Sequence, residues 1–368
     1  MSESDVIVSA DSHVLEPPDL WEKALGARFG DRVPRVVNGF EGHEGSFFYV
    51  GRPGEAARMD ELVDANQTDR RLDDLARAGR DPVRRLELMD SDGIAAEVIN
   101  PTWGLWIPRI RDSEVRQACA EVYNDWVAEY ASEDLRRLVA VAMIPVEDVD
   151  WAIKELHRIV RKGLRGVMIG AQPLEDAKPY RDPVYDPFWA AAQEAGLPVT
   201  LHIVTGRARD PFTCHGSDER AEVPRMFIEL FGEAAPVLAN EFIFGGIFDR
   251  FPRLKVLLSE FDASWLPILK YRVNRIQRFP GLRKLAKSPA SRYVDENIYV
   301  GMINDPLVHK LRYDIGVDRI MWGSDFPHPP CPYPNTTQNV AKLFNGVPDD
   351  ERRKMIAGNA IELYGIGI

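Results

Sequence analysis

Asp11-Ser12-His13 lies two residues past the apolar run Val6-Ile7-Val8. On an extended strand the side chains alternate faces, so Asp11 and His13 point the same way. A carboxylate oxygen and an imidazole nitrogen are the ligands that hard or borderline divalent metals take. Two ligands do not hold a metal tightly, so others must come from elsewhere in the chain. Polar, ligand-type residues recur at the ends of later apolar runs: His202 in Thr200-Leu201-His202, Glu260 in Ser259-Glu260-Phe261-Asp262, and Asp325 and His328 in Gly323-Ser324-Asp325-Phe326-Pro327-His328. A lone histidine on an apolar strand is commonly a core residue. Four strand ends of this kind argue for a shared site.

The elements that carry these residues alternate. Short apolar strands are predicted at 6–10, 94–99, 138–144, 165–169, 198–203, 254–259, 298–302 and 319–322. Helical spacing fills the intervals, at 82–90 after the cap Asp81 and Pro82, then 112–131, 148–161, 184–195, most of 218–250, 263–278, 305–315, 337–345 and 349–362. The runs are apolar almost without break, as in parallel strands buried on both faces. Eight such units predict an α/β fold, a (β/α)8 TIM barrel forming one domain over 1–368, whose active site is built from the C-terminal ends of the strands. An open doubly wound sheet is the rival, but no glycine-rich phosphate loop follows the first strand. Residues 30–80 read as an irregular insertion after that strand, too long for a simple connection, with a small hairpin strand at Phe47-Phe48-Tyr49-Val50.

In a barrel of this kind Asp11, His13, His202 and Asp325 are the expected ligands of one divalent metal, with a position left open for water or substrate. The fourth strand ends in Gly170-Ala171, without a lysine or histidine to bridge a second ion. Asp325 could bind the metal, act as a general base, or do both, with His328 as proton carrier or as a residue fixing the Pro-rich turn. Glu260 could be a general acid/base, a partner orienting His202, or one half of an ion pair with Arg272. The candidate substrate-binding residues are Trp103, Arg207, His215 and Arg272. Arginines suit a substrate carboxylate, and Trp103 with Trp106 either walls an aromatic pocket or packs in the core. Arg209 shares the polar loop of Arg207 and His215. His43 sits in the insertion, and His157 and His309 fall on helices away from the mouth.

Composition narrows the partners. The 368 residues carry a net charge of −11, are 45% hydrophobic and 28% charged, and contain three separated cysteines. Acidity argues against a nucleic-acid partner, and three cysteines make no disulfide framework or CxxC pair. The N-terminal MSESDVIV has neither a basic region nor a long apolar stretch, and no run approaches a membrane span. The expectation is a cytoplasmic enzyme with a small-molecule substrate, no nucleic-acid or membrane partner, and a homodimeric or higher homo-oligomeric state.

Five stretches together resemble the amidohydrolase-related (amidohydrolase 2) family of metal-dependent hydrolases: Ala10-Asp11-Ser12-His13, Gly163 to Gly170, Pro198 to His202, Phe251 to Val256, and Gly323 to His328. The family includes aminocarboxymuconate semialdehyde decarboxylase and γ-resorcylate decarboxylase. The resemblance implies a TIM barrel with one zinc or manganese ion on Asp11, His13, His202 and Asp325. It implies non-oxidative decarboxylation of an aromatic or conjugated, oxygenated carboxylic acid, or, as the alternative, hydrolysis of a C–N, C–O or C–C bond. Asp11 stands where relatives commonly carry His or Glu, which hardens the site towards manganese. Glu260 stands where the decarboxylases commonly place a histidine, and it could move protons there only with a raised pKa.

Overall fold

The computed structural model describes residues 5–52, 55–59, 70–205, 232 and 234–368. The eight apolar runs form eight parallel strands of one sheet: β1 (Val8–His13), β5 (Ala96–Asn100), β6 (Leu138–Met143), β7 (Gly166–Ile169), β8 (Val199–His202), β9 (Val256–Ser259), β10 (Ile298–Met302) and β11 (Ile320–Trp322). They lie side by side in chain order. Beyond the ends of the ladder the first and last strands are tied together. Asp325 N donates to Asp11 O at 2.9 Å and His13 N to Phe326 O at 2.6 Å. The Ser9 and Ser324 hydroxyls meet at 3.0 Å beside this seam. The result is the (β/α)8 barrel that the alternation predicts. Almost every strand side chain is buried, because one face lines the barrel and the other meets the helices.

The helices begin where local chemistry dictates. Asp81 Oδ1 accepts from Val83 N and Arg84 N, Pro82 occupies the first turn, and Gly93, at φ 78°, ends the helix Pro82–Asp92. Asp112 and Asp148 cap the helices Ser113–Ala131 and Val149–Arg161 in the same way. Ala152, Glu155, Leu156 and Ile159 form the buried stripe of the latter, at helical spacing. Among the described residues no helix is long and apolar enough to cross a membrane.

The segment between β1 and β5 is more regular than its composition suggests. β2 (Arg35–Phe40), β3 (His43–Arg52) and β4 (Glu55–Arg58) make an antiparallel sheet. β2 and β3 are joined by the two-residue turn Glu41-Gly42, where both φ angles are positive (47° and 89°), as a tight hairpin requires. The expected strand at 47–50 lies within β3. Its period of two sends Phe47 and Tyr49 to pack on Phe40, and Phe48 inward against Trp21 and Trp103. Residues Arg70–Ala78 form a helix that an irregular reading missed, since its apolar positions are hidden among arginines and aspartates. Leu75 and Ala78 are buried against Leu88, Phe326 and Cys331. Arg71 donates to the carbonyls of Pro329, Cys331 and Tyr333, fastening this helix to the loop that follows β11.

Candidate metal centre

Four side chains converge at the C-terminal mouth of the barrel. Asp11 and His13 arrive from β1, where a bulge between Ser9 and Ser12 breaks the register against β5. His202 ends β8 and Glu260 follows β9. His13 Nε2 and His202 Nε2 lie 3.4 and 3.5 Å from Asp11 Oδ1, and His202 Nε2 lies 3.5 Å from Glu260 Oε2. Asp325 Oδ1 is 3.5 Å from His13 Nε2 on the other side, with His328 behind it. Thus His13 is shared between two groups of potential ligands, Asp11–His13–His202–Glu260 and His13–Asp325–His328.

The tautomers suit a metal. His13 Nδ1 donates to Pro101 O at 2.7 Å, and His202 Nδ1 to Ile203 O at 3.0 Å. With Nδ1 carrying the proton, each Nε2 presents a lone pair. Both Nε2 atoms are buried, and neither has a hydrogen-bond partner among the described residues. Two ligands each about 2.1 Å from a tetrahedral ion stand about 3.4 Å apart, the spacing these atoms already have. The donor set of imidazole nitrogens and carboxylate oxygens is the one a borderline or hard divalent ion takes.

The backbone is bent to aim these groups. Glu260 and Asp325 have φ of 70° and 59°, a left-handed conformation that costs a side-chain-bearing residue on the order of 1–3 kcal/mol. In each case the chain turns sharply off a strand and directs the carboxylate back over the mouth. Gly323 makes the seam possible: a Cβ there would lie 2.5 Å from Asp11 Cβ.

Charge is held to match. Burial pushes the Asp11 carboxyl up, but the imidazoles of His202 and His13 outweigh it and keep the group well below the usual range. Asn100 Nδ2 and Ser259 Oγ each donate to its oxygens at 2.8 Å. Burial, then the neighbouring His328, lowers the pKa of His13. Glu260 is raised well above the ordinary glutamate value, first by burial and then by Asp325 and Asp11. Burial alone would lower His328, but Asp325, 2.6 Å from Nδ1, raises it. Its Nε2 meets Thr102 Oγ1 at 3.0 Å. Three carboxyl groups, those of Asp11, Glu260 and Asp325, thus surround the Nε2 atoms of His13 and His202.

The expected ligands Asp11, His13, His202 and Asp325 therefore come together, and Glu260 and His328 join them. Glu260, expected to handle protons, also stands within ligating reach. Arg272 does not join: it lies on the exposed side of the helix Leu266–Gln277, whose buried stripe is Leu266, Leu269 and Val273. Glu260 faces His202 instead. Trp103 is 1% exposed, with its ring 5.5 Å from Phe48 of β3. Trp106 is likewise buried, beneath the Arg109 guanidinium. Arg207, Arg209 and His215 lie outside the described residues, as does the side chain of His43. His157 is exposed on the helix Val149–Arg161, and His309 lies on the helix Val308–Ile315.

Four contributors had no strong signal in the sequence. Asn100 and Ser259 are ordinary strand-end polars until seen donating to Asp11. Thr102 sits in a Pro-Thr-Trp-Gly turn. Glu16 is an acidic residue between Val14-Leu15 and Pro17-Pro18, and that placement was the one available hint of burial.

The family model described as Amidohydrolase matches residues 67–366. A gamma-resorcylate decarboxylase from Polaromonas sp. (strain JS666) is 28% identical over 299 residues, spanning 76% of this chain and 86% of that protein. An amidohydrolase from Mycobacterium avium subsp. paratuberculosis K-10 shares the fold with a TM-score of 0.79 at 19% identity, over 100% of both chains. A dihydroxybenzoic acid decarboxylase from Polaromonas sp. JS666, solved with bound manganese and the inhibitor 2-nitroresorcinol, aligns with a TM-score of 0.69 at 21% identity, over 98% of this chain and 97% of that one.

Proposed function

The chain belongs to the amidohydrolase family, and from that premise we propose that it is a metal-dependent, non-oxidative decarboxylase of an aromatic or conjugated, oxygenated carboxylic acid. The observation that carries this reading is the pair of buried, unpartnered Nε2 lone pairs of His13 and His202 facing the ionised Asp11. Asp11, His13 and His202 would hold one divalent ion, manganese or zinc, with Asp325 as a further ligand. When bound, the ion supplies a positive charge that anchors and polarises the substrate's carboxylate and its neighbouring oxygen.

The chain's own groups then account for the proton. In the net reaction the bond between ring carbon and carboxylate breaks, CO2 leaves, and the electron pair on carbon takes up H+. Asp325 Oδ1, 2.6 Å from His328 Nδ1, would pass that proton, and the raised pKa of His328 supports its resupplying Asp325. Glu260 stands on the opposite side, next to His202, and its burial favours a neutral carboxyl able to donate.

The test is metal content by elemental analysis, with CO2 release from ortho-hydroxylated aromatic carboxylates by the manganese- and zinc-loaded protein. One equivalent of metal and CO2 release, both lost in His13→Ala/His202→Ala, is the expected result. Metal binding with no CO2 from any such acid, but with solvent 18O entering the product of an amide or ester, would replace this reading with hydrolysis.

A further inference from the structure

Three consecutive residues at the end of β5 and just past it touch three different members of the metal centre. Asn100 Nδ2 donates to Asp11 Oδ1, Pro101 O accepts from His13 Nδ1, and Thr102 Oγ1 meets His328 Nε2. The segment thus sets the rotamer of one carboxylate, the tautomer of one imidazole and the ring orientation of another. Past Asn100 the strand ladder no longer holds it, because Pro101 and Thr102 lie between β5 and the short 3-10 turn Trp103–Arg109. The first N–H groups of such a turn have no acceptor within it.

Glu16 supplies the acceptors. Its carboxylate is fully buried and takes all three leading N–H groups: Thr102 N at 3.2 Å and Trp103 N at 3.0 Å on Oε2, and Gly104 N at 2.9 Å on Oε1. The approach is close enough to require glycine at 104, where a Cβ would meet Pro101 Cβ at 2.7 Å and Glu16 Oε1 at 3.0 Å. The run carrying Glu16 is itself anchored, Val14 N donating to Asn100 O and Leu15 N to Gly79 O. Burying a carboxylate is a poor device for stability alone, so a positional duty accounts for it better.

We infer that Glu16 is a positioning residue that clamps Asn100–Gly104 and, through that segment, holds Asp11, His13 and His328 in the geometry the metal and the proton require. The inference rests on the metal-dependent reading above. A glutamine at 16 keeps the shape but turns an NH2 group towards backbone N–H donors, so the clamp loosens without leaving a cavity.

The experiment uses the full chain loaded with Co2+ and with Mn2+. Visible absorption of the Co2+ form reports ligand geometry, and chelator competition gives Mn2+ affinity. Glu16→Gln is expected to stay folded by circular dichroism, to alter the Co2+ absorption band, and to weaken Mn2+ binding by roughly 10- to 100-fold, the range for residues that orient metal ligands. Combined with Asn100→Ala and Thr102→Val, it is expected to add little further loss. An unchanged band with unchanged affinity, or losses that simply add, would overturn the inference. Should Glu16→Gln not fold, Gly104→Ala decides, since it wedges the same contact apart without removing a charge: a wild-type Co2+ band would overturn the inference, and an altered one would support it. Wild-type protein that binds neither ion refutes the parent reading instead, so the two failures are separable.

Discussion

Removing Arg85 alone should destabilise the protein more than removing it together with Glu97. Arg85 projects from the helix Pro82–Asp92 into the barrel wall and is 0% exposed. Its Nε donates to Glu97 Oε2 at 2.5 Å, its Nη1 to His13 O at 2.5 Å, and its Nη2 to Phe326 O at 3.4 Å. Glu97, on β5, is also buried and accepts from Ser12 Oγ at 3.3 Å. One guanidinium therefore ties the main chain beside His13 to the main chain beside Asp325, with Glu97 neutralising it. In Arg85→Met the Glu97 carboxylate is left buried without its cation, a situation that costs about 3–5 kcal/mol. The carbonyls of His13 and Phe326 lose a donor, adding about 1 kcal/mol. In Arg85→Met/Glu97→Leu the stranded charge is gone and only the carbonyl loss remains, so about 1–2 kcal/mol is expected. Equilibrium urea denaturation of the three proteins measures this directly, and Mn2+ titration of the same samples should show weaker binding in Arg85→Met. A single-variant loss under about 1 kcal/mol, or a double variant as unstable as the sum of its singles, would refute the account of a paired charge spanning the seam.

Three further outcomes follow from the same geometry. Gly323→Ala places a methyl 2.5 Å from Asp11 Cβ, so β1 and β11 must part; a loss of about 1–3 kcal/mol in urea and weaker Mn2+ binding are expected, and wild-type behaviour in both would contradict the contact. Burial raises the Glu16 carboxyl to about 7 in the fold against 4.5 ordinarily, despite the three N–H groups that favour the anion. The folded chain then binds the extra proton between those values, so this group's contribution is fully present below pH 4.5 and fades as pH rises towards 7. The swing is on the order of 3 kcal/mol for the metal-free protein, and Glu16→Gln should flatten it in urea denaturation run across that window. Glu260→Gln should retain about one equivalent of metal on Asp11, His13 and His202 while kcat falls at least about 100-fold; loss of the metal itself would make Glu260 a ligand rather than a proton donor.

The barrel was legible in the chain because strands buried on both faces leave runs that no surface element tolerates, and eight of them recur between helical spacings. The metal-competent residues were legible for a related reason. The C-terminal ends of such strands open at one mouth, so Asp11, His13, His202, Glu260 and Asp325 share a place in the fold although 314 positions separate the first from the last. A strand was legible at 47–50, within β3, from its aromatic run, but its partner β2 was not, and the helix Arg70–Ala78 was masked by its charges.

What periodicity cannot carry is which polar side chain meets which. The contact of Glu16 with the 102–104 backbone spans 86 to 88 positions, that of Thr102 with His328 spans 226, and the reach of Arg85 to Phe326 spans 241. No local pattern encodes them, because each depends on how the barrel closes and on a loop whose course is set after packing. The same holds for the contact of Trp103 with Phe48 of the inserted sheet, and for the rotation of its helix that leaves Arg272 exposed. Residue type and strand position determined that this chain could hold a divalent metal. Only the closed barrel decided which lone pairs face one another, since hydrogen bonds made far along the chain select the tautomers, and backbone turns at Glu260 and Asp325 aim the carboxylates.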